Sequence, residues 1–207
     1  MLTDLSIKKF LNETASNSPA PGGGSVSALA ASLGCALTSM VGRLTIGKKK
    51  YSDVQVEIEN VLQKSDNLLT QLTSLIDEDT DAFNNVMTAM GLPKDSEEEK
   101  LKRLKTIQEA TKRATLVPLK LMELCSEAVL LVKVIAEKGN QNSLSDAGVA
   151  ALLLDAGCNG AALNVKINLN SIQDAEFINN AKSKMELYLE TCGIQSQDIL
   201  KLIRSKL

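Results

Sequence analysis

The 207-residue chain contains no histidine and no tryptophan. Without histidine it has no imidazole general base, no Ser–His or Cys–His nucleophile pair and no His-ligated zinc or iron site. Aromatic residues make up only 2% of the sequence, fewer than β-sandwiches and barrels use in their strands. The net charge of -2 provides no basic surface for nucleic acid. The composition therefore predicts a helical protein that does not bind nucleic acid.

The cysteines are few and widely spaced, with no CxxC pair: Cys35, Cys125, Cys158 and Cys192. This spacing favours buried, reduced thiols in a cytoplasmic protein and predicts no metal site. The first ten residues include Asp4, Lys8 and Lys9 and lack the apolar segment of a secretory signal.

One stretch, residues 22–42, carries no charge and is long enough to cross a bilayer. It contains as much Gly, Ala, Ser and Thr as Leu and Val, and Arg43 follows it directly. We interpret it as a helix that is buried on all sides in a bundle. A membrane span is the alternative, and we expect no membrane association.

Apolar residues at helical spacing predict a series of helices along the chain. They cover residues 4–15 behind a Thr3 cap, 22–46, 53–90 behind a Ser52 or Asp53 cap, 96–137 with a kink at Pro118, 143–168, 172–191, and the segment after Gly193. The predicted fold is all-α: a single helical bundle with long central helices that forms one domain over residues 1–207.

The two helices rich in small residues have no polar face, so each must be covered on every side. One 22.2 kDa chain has few other helices to cover them. We therefore predict a homodimer through these central helices, and coverage within the monomer is the alternative.

Asp79 lies where the apolar stripe of the 53–90 helix calls for Leu or Ile, between Ile76 and Phe83. A buried carboxylate is costly unless it is paired or hydrogen-bonded, and burial raises its pKa. Such a group suits general acid–base catalysis. A structural ion pair is the alternative.

The 143–168 helix carries a narrow stripe of small residues with polar ends, which include Asp146, Asn164 and Asn168. The stripe could be a seam between crossing helices or the floor of a cleft. Asp146 and Asn164 are roughly 27 Å apart along the helix. They can serve one site only if the ligand is long or a dimer partner brings the two ends together.

The glycine run from Pro21 to Ser25 opens a helix whose free backbone N–H groups can hold an anion. It lacks the spacing of a nucleotide P-loop, and a tight turn is the alternative. A run of three lysines follows this helix: Lys48, Lys49 and Lys50. It is either a solvated connector or a binding site for carboxylate groups.

Several blocks together resemble the formiminotransferase-cyclodeaminase C-terminal domain family. They are PAPGGGSVSAL (19–29), RLTIGKKKY (43–51), DEDTDAF (77–83), ATLVPL (114–119), GNQNSLSDAGVAALLL (139–154) and GAALNVKINL (160–169). The resemblance implies an all-α dimeric fold and a reduced-folate substrate, with no cofactor. Phe83 stands where we expect tyrosine in many members, so no role for that hydroxyl is carried over.

The resemblance implies an enzyme that hydrolyses 5,10-methenyltetrahydrofolate to 10-formyltetrahydrofolate. The alternatives are a formimidoyltetrahydrofolate cyclodeaminase, which releases ammonia, and a non-catalytic folate-binding module. The absence of an attached formiminotransferase domain favours the cyclohydrolase. The expected catalytic residues are Asp79, Asp146 and Lys49. The expected substrate-binding residues are Gly22, Gly23, Gly24, Ser25, Asn140, Asn142, Asn164 and Asn168.

Overall fold

The computed structural model describes residues 1–207 and contains helices but no strands, which confirms the all-α prediction. Its six α-helices are α1 (Ile7–Thr14), α2 (Gly23–Thr45), α3 (Gln55–Met90), α4 (Glu97–Lys138), α5 (Leu144–Leu169) and α6 (Ala175–Lys206). Short 3₁₀ turns span Leu2–Asp4, Lys49–Val54 and Gln141–Ser143.

Helix α2 lies at the centre and packs antiparallel to both α3 and α5. Near its start Ser25 contacts Asp79 of α3, and further along Ser39 contacts Ser65. Helix α4 packs against α3 and α5, and α6 covers α4 and α5. One continuous hydrophobic core joins these helices.

Small residues allow α2 and α5 to approach closely. A Cβ added at Gly157 would lie 2.9 Å from the Ser27 carbonyl oxygen, and one added at Gly34 would lie 2.9 Å from Leu154 Cγ. The middle of the small-residue stripe on α5 is therefore a seam between crossing helices.

Two helices are long and apolar enough to cross a membrane: α2 and the segment Gln141–Leu169. Within the fold, 61% and 50% of their most apolar stretches are buried. The core helices of a soluble bundle have the same length and composition, so these two features are weak evidence for a membrane span.

The predicted beginnings of three helices are wrong in detail. Ser6, not Thr3, caps α1, and the preceding residues form a separate 3₁₀ turn. The predicted caps of α3, Ser52 and Asp53, lie within the turn Lys49–Val54. Helix α3 begins at Gln55 without a side-chain cap. Asp174 caps α6, so that helix begins at Ala175 instead of residue 172.

Two interruptions in the pattern do not break their helices. Helix α4 continues through Pro118. The predicted break at Gly193 is wrong, because α6 runs through it. A glycine inside a helix costs about 1 kcal/mol, and the buried face formed by Cys192, Ser196 and Ile199 continues across that position.

Candidate functional site

A crevice of about 380 Å³ opens at the start of α2, between α3, α4 and α5. The preceding loop, which contains a cis Ala20–Pro21 peptide, contributes to its rim. Its polar and small lining residues include Gly22, Gly23, Gly24, Asp79, Thr80, Thr111, Asn164 and Asn168. The crevice thus brings together six of the residues predicted for the site.

Asp79 is the only titratable side chain that lines this crevice. The Ser25 hydroxyl donates a hydrogen bond to its Oδ2 at 3.1 Å. Burial raises the pKa of the Asp79 carboxyl, and hydrogen bonds from the Ser25 hydroxyl and backbone partly oppose that rise. No cation lines the crevice, so Asp79 is not half of a structural ion pair there. A half-buried carboxyl of this kind can take up and release a proton during a reaction.

Gly24 allows α2 to begin directly against the Asp79 carboxylate. A Cβ at this position would overlap the carboxylate, at 2.6 Å from Oδ2. The N-cap residue Gly22 provides no side-chain hydrogen bond to the helix. The backbone N–H groups of Gly23 and Gly24 therefore have no side-chain cap and can donate to a ligand oxygen, whereas the Ser25 backbone bonds to the Asp79 carboxylate.

Asn164 and Asn168 lie one helical turn apart on α5 and have fixed side-chain orientations. Asn164 Nδ2 donates to the Gly160 carbonyl oxygen at 2.9 Å, and Asn168 Nδ2 donates to the Ala114 carbonyl oxygen at 3.0 Å. The amide oxygen of each side chain remains available to accept a hydrogen bond from a ligand. This end of the α5 stripe forms part of a cleft, unlike its middle.

The apolar wall of the crevice was not singled out from the sequence. It consists of Phe83, Val86, Met87 and Met90 on α3 and Ile167 on α5. The α3 members continue the face of Asp79 at helical spacing, which is the signal that could have identified them. Apolar residues at this spacing are otherwise typical of core positions.

Four other predicted residues lie at the opposite end of the bundle. Together with Tyr51 they form what we call the second cluster: Lys49, Tyr51, Asn140, Asn142 and Asp146. Lys49 and Asn142 are exposed, Asp146 is half-buried, and Asn140 is buried. Within one chain these residues do not line the crevice of Asp79, in agreement with the separation of Asp146 and Asn164 expected from the sequence.

Asn140 links Asn142 to the end of α2. Its backbone N–H donates to Thr45 Oγ1 at 2.9 Å, and its side-chain amide donates to the Leu44 carbonyl oxygen at 3.2 Å. Its Oδ1 accepts from the Asn142 backbone N–H at 3.2 Å, and the Tyr51 hydroxyl accepts from the Gln141 backbone N–H at 3.1 Å. These contacts give Asn140 a structural role in the chain.

Ser25 does not line the crevice. Its side chain is fully buried and contacts Asp79 and Thr80. Ser25, which the sequence predicts as a substrate-binding residue, therefore contacts the Asp79 carboxylate from behind instead of lining the crevice.

No group of three or more cysteine, aspartate and glutamate side chains is arranged to hold a metal ion. All four cysteines are buried and unpaired. Burial raises the pKa of Cys35 to about 12 and that of Cys125 well above its usual value.

The chain is similar to proteins of one family over almost its whole length. The family described as formiminotransferase-cyclodeaminase matches residues 6–187. A methenyltetrahydrofolate cyclohydrolase of Methylorubrum extorquens is 45% identical over 97% of this chain and 96% of its own. A formimidoyltransferase-cyclodeaminase of Rattus norvegicus is 36% identical over 99% of this chain, which spans 38% of that longer relative.

The crystal structure of a formiminotetrahydrofolate cyclodeaminase from Thermotoga maritima superposes with a TM-score of 0.89 at 32% identity. The superposition covers 99% of this chain and 98% of the other. Sequence and fold agree, and the chain belongs to the formiminotransferase-cyclodeaminase family.

Proposed function

We propose that the protein hydrolyses 5,10-methenyltetrahydrofolate to 10-formyltetrahydrofolate in the crevice around Asp79. The observation that carries this proposal is a carboxyl group that faces a crevice with no neutralising cation. The methenyl bridge between N5 and N10 is itself a cation and would supply the missing positive charge. The full-length similarity to a methenyltetrahydrofolate cyclohydrolase supports the same reaction.

In the proposed reaction, ionised Asp79 accepts a proton from a water molecule as the water oxygen bonds to the bridging carbon. This addition gives a neutral tetrahedral intermediate. The C–N5 bond then breaks, Asp79 returns its proton to N5, and the hydroxyl proton of the intermediate leaves to solvent. The products are the 10-formyl compound and one proton, so the reaction needs no metal or redox partner.

The crevice matches the reactive part of such a substrate. Its volume of about 380 Å³ lies at the low end of ligand pockets, about 300–1,000 Å³. The oxygens of Asn164 and Asn168 can accept from ring N–H groups, and the apolar wall can cover the ring faces. A folate is longer than this crevice, so its tail must extend toward the surface.

We propose that a second copy of the chain covers the exposed apolar face of α2 and α5. This face carries large hydrophobic side chains that are 39–66% exposed: Val26, Leu33, Leu44, Leu152, Leu163 and Ile167. An apolar surface that is continuous along two central helices is typical of a subunit interface.

The proposed interface would also complete the site. Ile167 borders the crevice, whereas the Leu44 carbonyl accepts from Asn140 of the second cluster. An antiparallel two-fold dimer would place the second cluster of one subunit at the crevice of the other. Lys49 could then contact the carboxylates of the folate tail, and Asp146 could approach the substrate.

The dimer proposal is tested by Leu33→Asp, with Leu187→Asp as the matched control. Both leucines are about half exposed, but Leu187 lies on α6, away from the α2 and α5 face. Analytical ultracentrifugation should find a monomer for the first variant and a dimer for the second. The monomer should lose activity. A wild-type chain that sediments as a monomer would overturn the proposal.

A second candidate function is cyclodeamination, which the fold of the Thermotoga maritima protein supports. In that reaction N10 attacks the formimino carbon, and protonated Asp79 donates its proton to the departing ammonia. A paired assay distinguishes the two reactions, since one consumes methenyltetrahydrofolate and the other releases ammonia from the formimino compound. Ammonia release at the higher turnover would replace the cyclohydrolase proposal, and binding without either reaction would indicate a folate-binding module.

At the residue level, Asp79→Asn should lower kcat by about 10²- to 10⁴-fold, the usual contribution of a general acid–base group. Substrate binding, measured by calorimetry, should persist because the amide keeps the shape of the side chain. Full turnover by a folded variant would remove Asp79 from the mechanism.

A further inference from the structure

Three side-chain oxygens form a chain behind the crevice. Ser25 Oγ lies 3.1 Å from Asp79 Oδ2 and 3.2 Å from Thr80 Oγ1. Ser25 is fully buried, whereas Asp79 and Thr80 both line the crevice. One serine of α2 therefore joins two consecutive residues of α3.

When Asp79 is ionised, the two hydroxyl protons of Ser25 and Thr80 determine which group donates and which accepts in each hydrogen bond of this chain. A carboxylate can only accept hydrogen bonds, so the single Ser25 hydroxyl proton is donated to Asp79. Ser25 must then accept from Thr80, which uses the only hydroxyl proton of Thr80. The Thr80 oxygen keeps only acceptor lone pairs for any group in the crevice.

We propose that Thr80 and Ser25 form a one-directional hydroxyl chain that ends on Asp79. Ser25 is the positioning residue of the carboxylate, and Thr80 is a second acceptor for the attacking water. This inference rests on the proposed function, because it assigns the chain to a reaction that begins with ionised Asp79.

No cationic side chain lines the crevice beside Asp79, although the positive end of α2 lies directly against its carboxylate. The lining residues from α2, α4 and α5 are all uncharged. On α3 itself, Glu78 and Asp81 line a separate groove with Glu109 and Arg113 of α4, and Asp77 accepts hydrogen bonds from the N-terminal turn. The hydrogen bonds from Ser25 are therefore what opposes the effect of burial on the Asp79 carboxyl.

The same helix pair contains a contrasting contact further along. Ser39 donates to Asp66 Oδ1 at 2.7 Å, and the Arg43 guanidinium pairs with Asp66 Oδ2 at 2.7 Å. Asp66 is thus neutralised by a cation from α2, and it does not line the crevice. Ser39 serves as a matched control, since it also links α2 to an α3 carboxylate, about four helical turns from Ser25.

Two acceptors without a donor suit a group that carries two protons. A water molecule meets this requirement, because it can donate one proton to Asp79 and the other to Thr80. Departing ammonia instead requires a donor, which the chain supplies only when Asp79 is protonated. The ionised chain therefore matches the first step of hydrolysis, in which water adds to the bridging carbon.

The test compares Ser25→Ala, Thr80→Val and Ser39→Ala. The first readout is the pH profile of kcat/KM for methenyltetrahydrofolate hydrolysis. The second is the titration of Asp79 in unliganded protein labelled with ¹³C-aspartate, with Asp79→Asn used to assign the resonance. Circular dichroism establishes that each variant is folded.

For Ser25→Ala we expect the Asp79 titration and the acid limb of the rate profile to move together to higher pH. On the plateau kcat/KM should fall about 10- to 100-fold, as expected when a catalytic group is displaced by up to about 1 Å. Thr80→Val should lower kcat for hydrolysis with a smaller shift in the titration. Ser39→Ala should change neither.

An unchanged titration in folded Ser25→Ala would overturn the inference, as would an equal shift in Ser39→Ala. If Ser25→Ala does not fold, the test rests on Thr80→Val, because residue 80 lies at the crevice surface. An unchanged kcat in that variant would overturn the inference. If the wild-type chain converts neither folate, the proposed function fails, but the NMR titration still tests the hydroxyl chain.

Discussion

A methyl group added at Gly24 would occupy the same space as the Asp79 carboxylate, at 2.6 Å from Oδ2. In Gly24→Ala the helix backbone cannot move without disturbing the packing of α2 on α5. The carboxylate, which is the end of a rotatable side chain, must turn away instead. It then loses the hydrogen bond from the Ser25 hydroxyl.

The cost to stability should be small. Losing a hydrogen bond to a charged group costs about 1.5–3 kcal/mol, and alanine regains up to about 1 kcal/mol in a helix. The net loss of about 0.5–2 kcal/mol corresponds to a fall in Tm of about 1–8 °C for a chain of this size. In contrast, moving a catalytic group by about 1 Å lowers kcat/KM about 100-fold.

The assay pairs calorimetry with initial rates, and Gly34→Ala is the control. A Cβ at Gly34 would lie 2.9 Å from Leu154 Cγ and 3.0 Å from the Ala150 carbonyl oxygen, far from the crevice. That variant should lose more stability but keep its activity per folded molecule. Wild-type activity in folded Gly24→Ala would refute the role of the Asp79 carboxylate.

Three further predictions concern stability and thiol reactivity. The pKa of Asp79 is raised in the folded state by burial. Ionisation of Asp79 therefore destabilises the fold as the pH rises from the ordinary aspartate pKa of 3.8 through the folded-state pKa. In urea unfolding, the free energy of unfolding of Asp79→Asn should exceed that of wild type by a margin that grows as the pH rises across that interval. A margin that shrinks would contradict the raised pKa of Asp79. Gly193→Ala should raise the free energy of unfolding by up to about 1 kcal/mol, since nothing lies within 4 Å of the added Cβ; a lower Tm would reveal hidden crowding. The buried thiols, with the pKa of Cys35 raised to about 12, should react with a thiol reagent only after unfolding, and rapid labelling of the native protein would contradict this.

The helical fold could be predicted largely from the sequence, because the apolar spacing and the Ser96 capping box are local signals. The wrong predictions were confined to single segments of the chain. The turn Leu2–Asp4 is held by Asp77 of α3, a contact that no nearby sequence pattern encodes. At Gly193 the burial of neighbouring side chains outweighed the intrinsic cost of glycine in a helix.

The candidate site was predictable where a residue broke a pattern. Asp79 interrupted an apolar stripe, and the glycines before α2 stood out in composition. Spacing along α5 put Asp146 roughly 27 Å from Asn164, but it could not show that Lys49 and Asn140 lie at the same end of the bundle as Asp146. The position of Ser25 behind Asp79 depends on the packing of α2 against α3, which no spacing within either helix reveals.

The uncapped beginning of α2 has a consequence for the ligand-bound state. Gly22 contributes no side-chain oxygen to the free amides of the first turn, so an oxygen of the bound molecule would complete the hydrogen bonding of the helix. Occupancy would then slow amide hydrogen exchange at Gly23 and Gly24 and raise the melting temperature. The substrate would serve as the missing N-cap of the central helix.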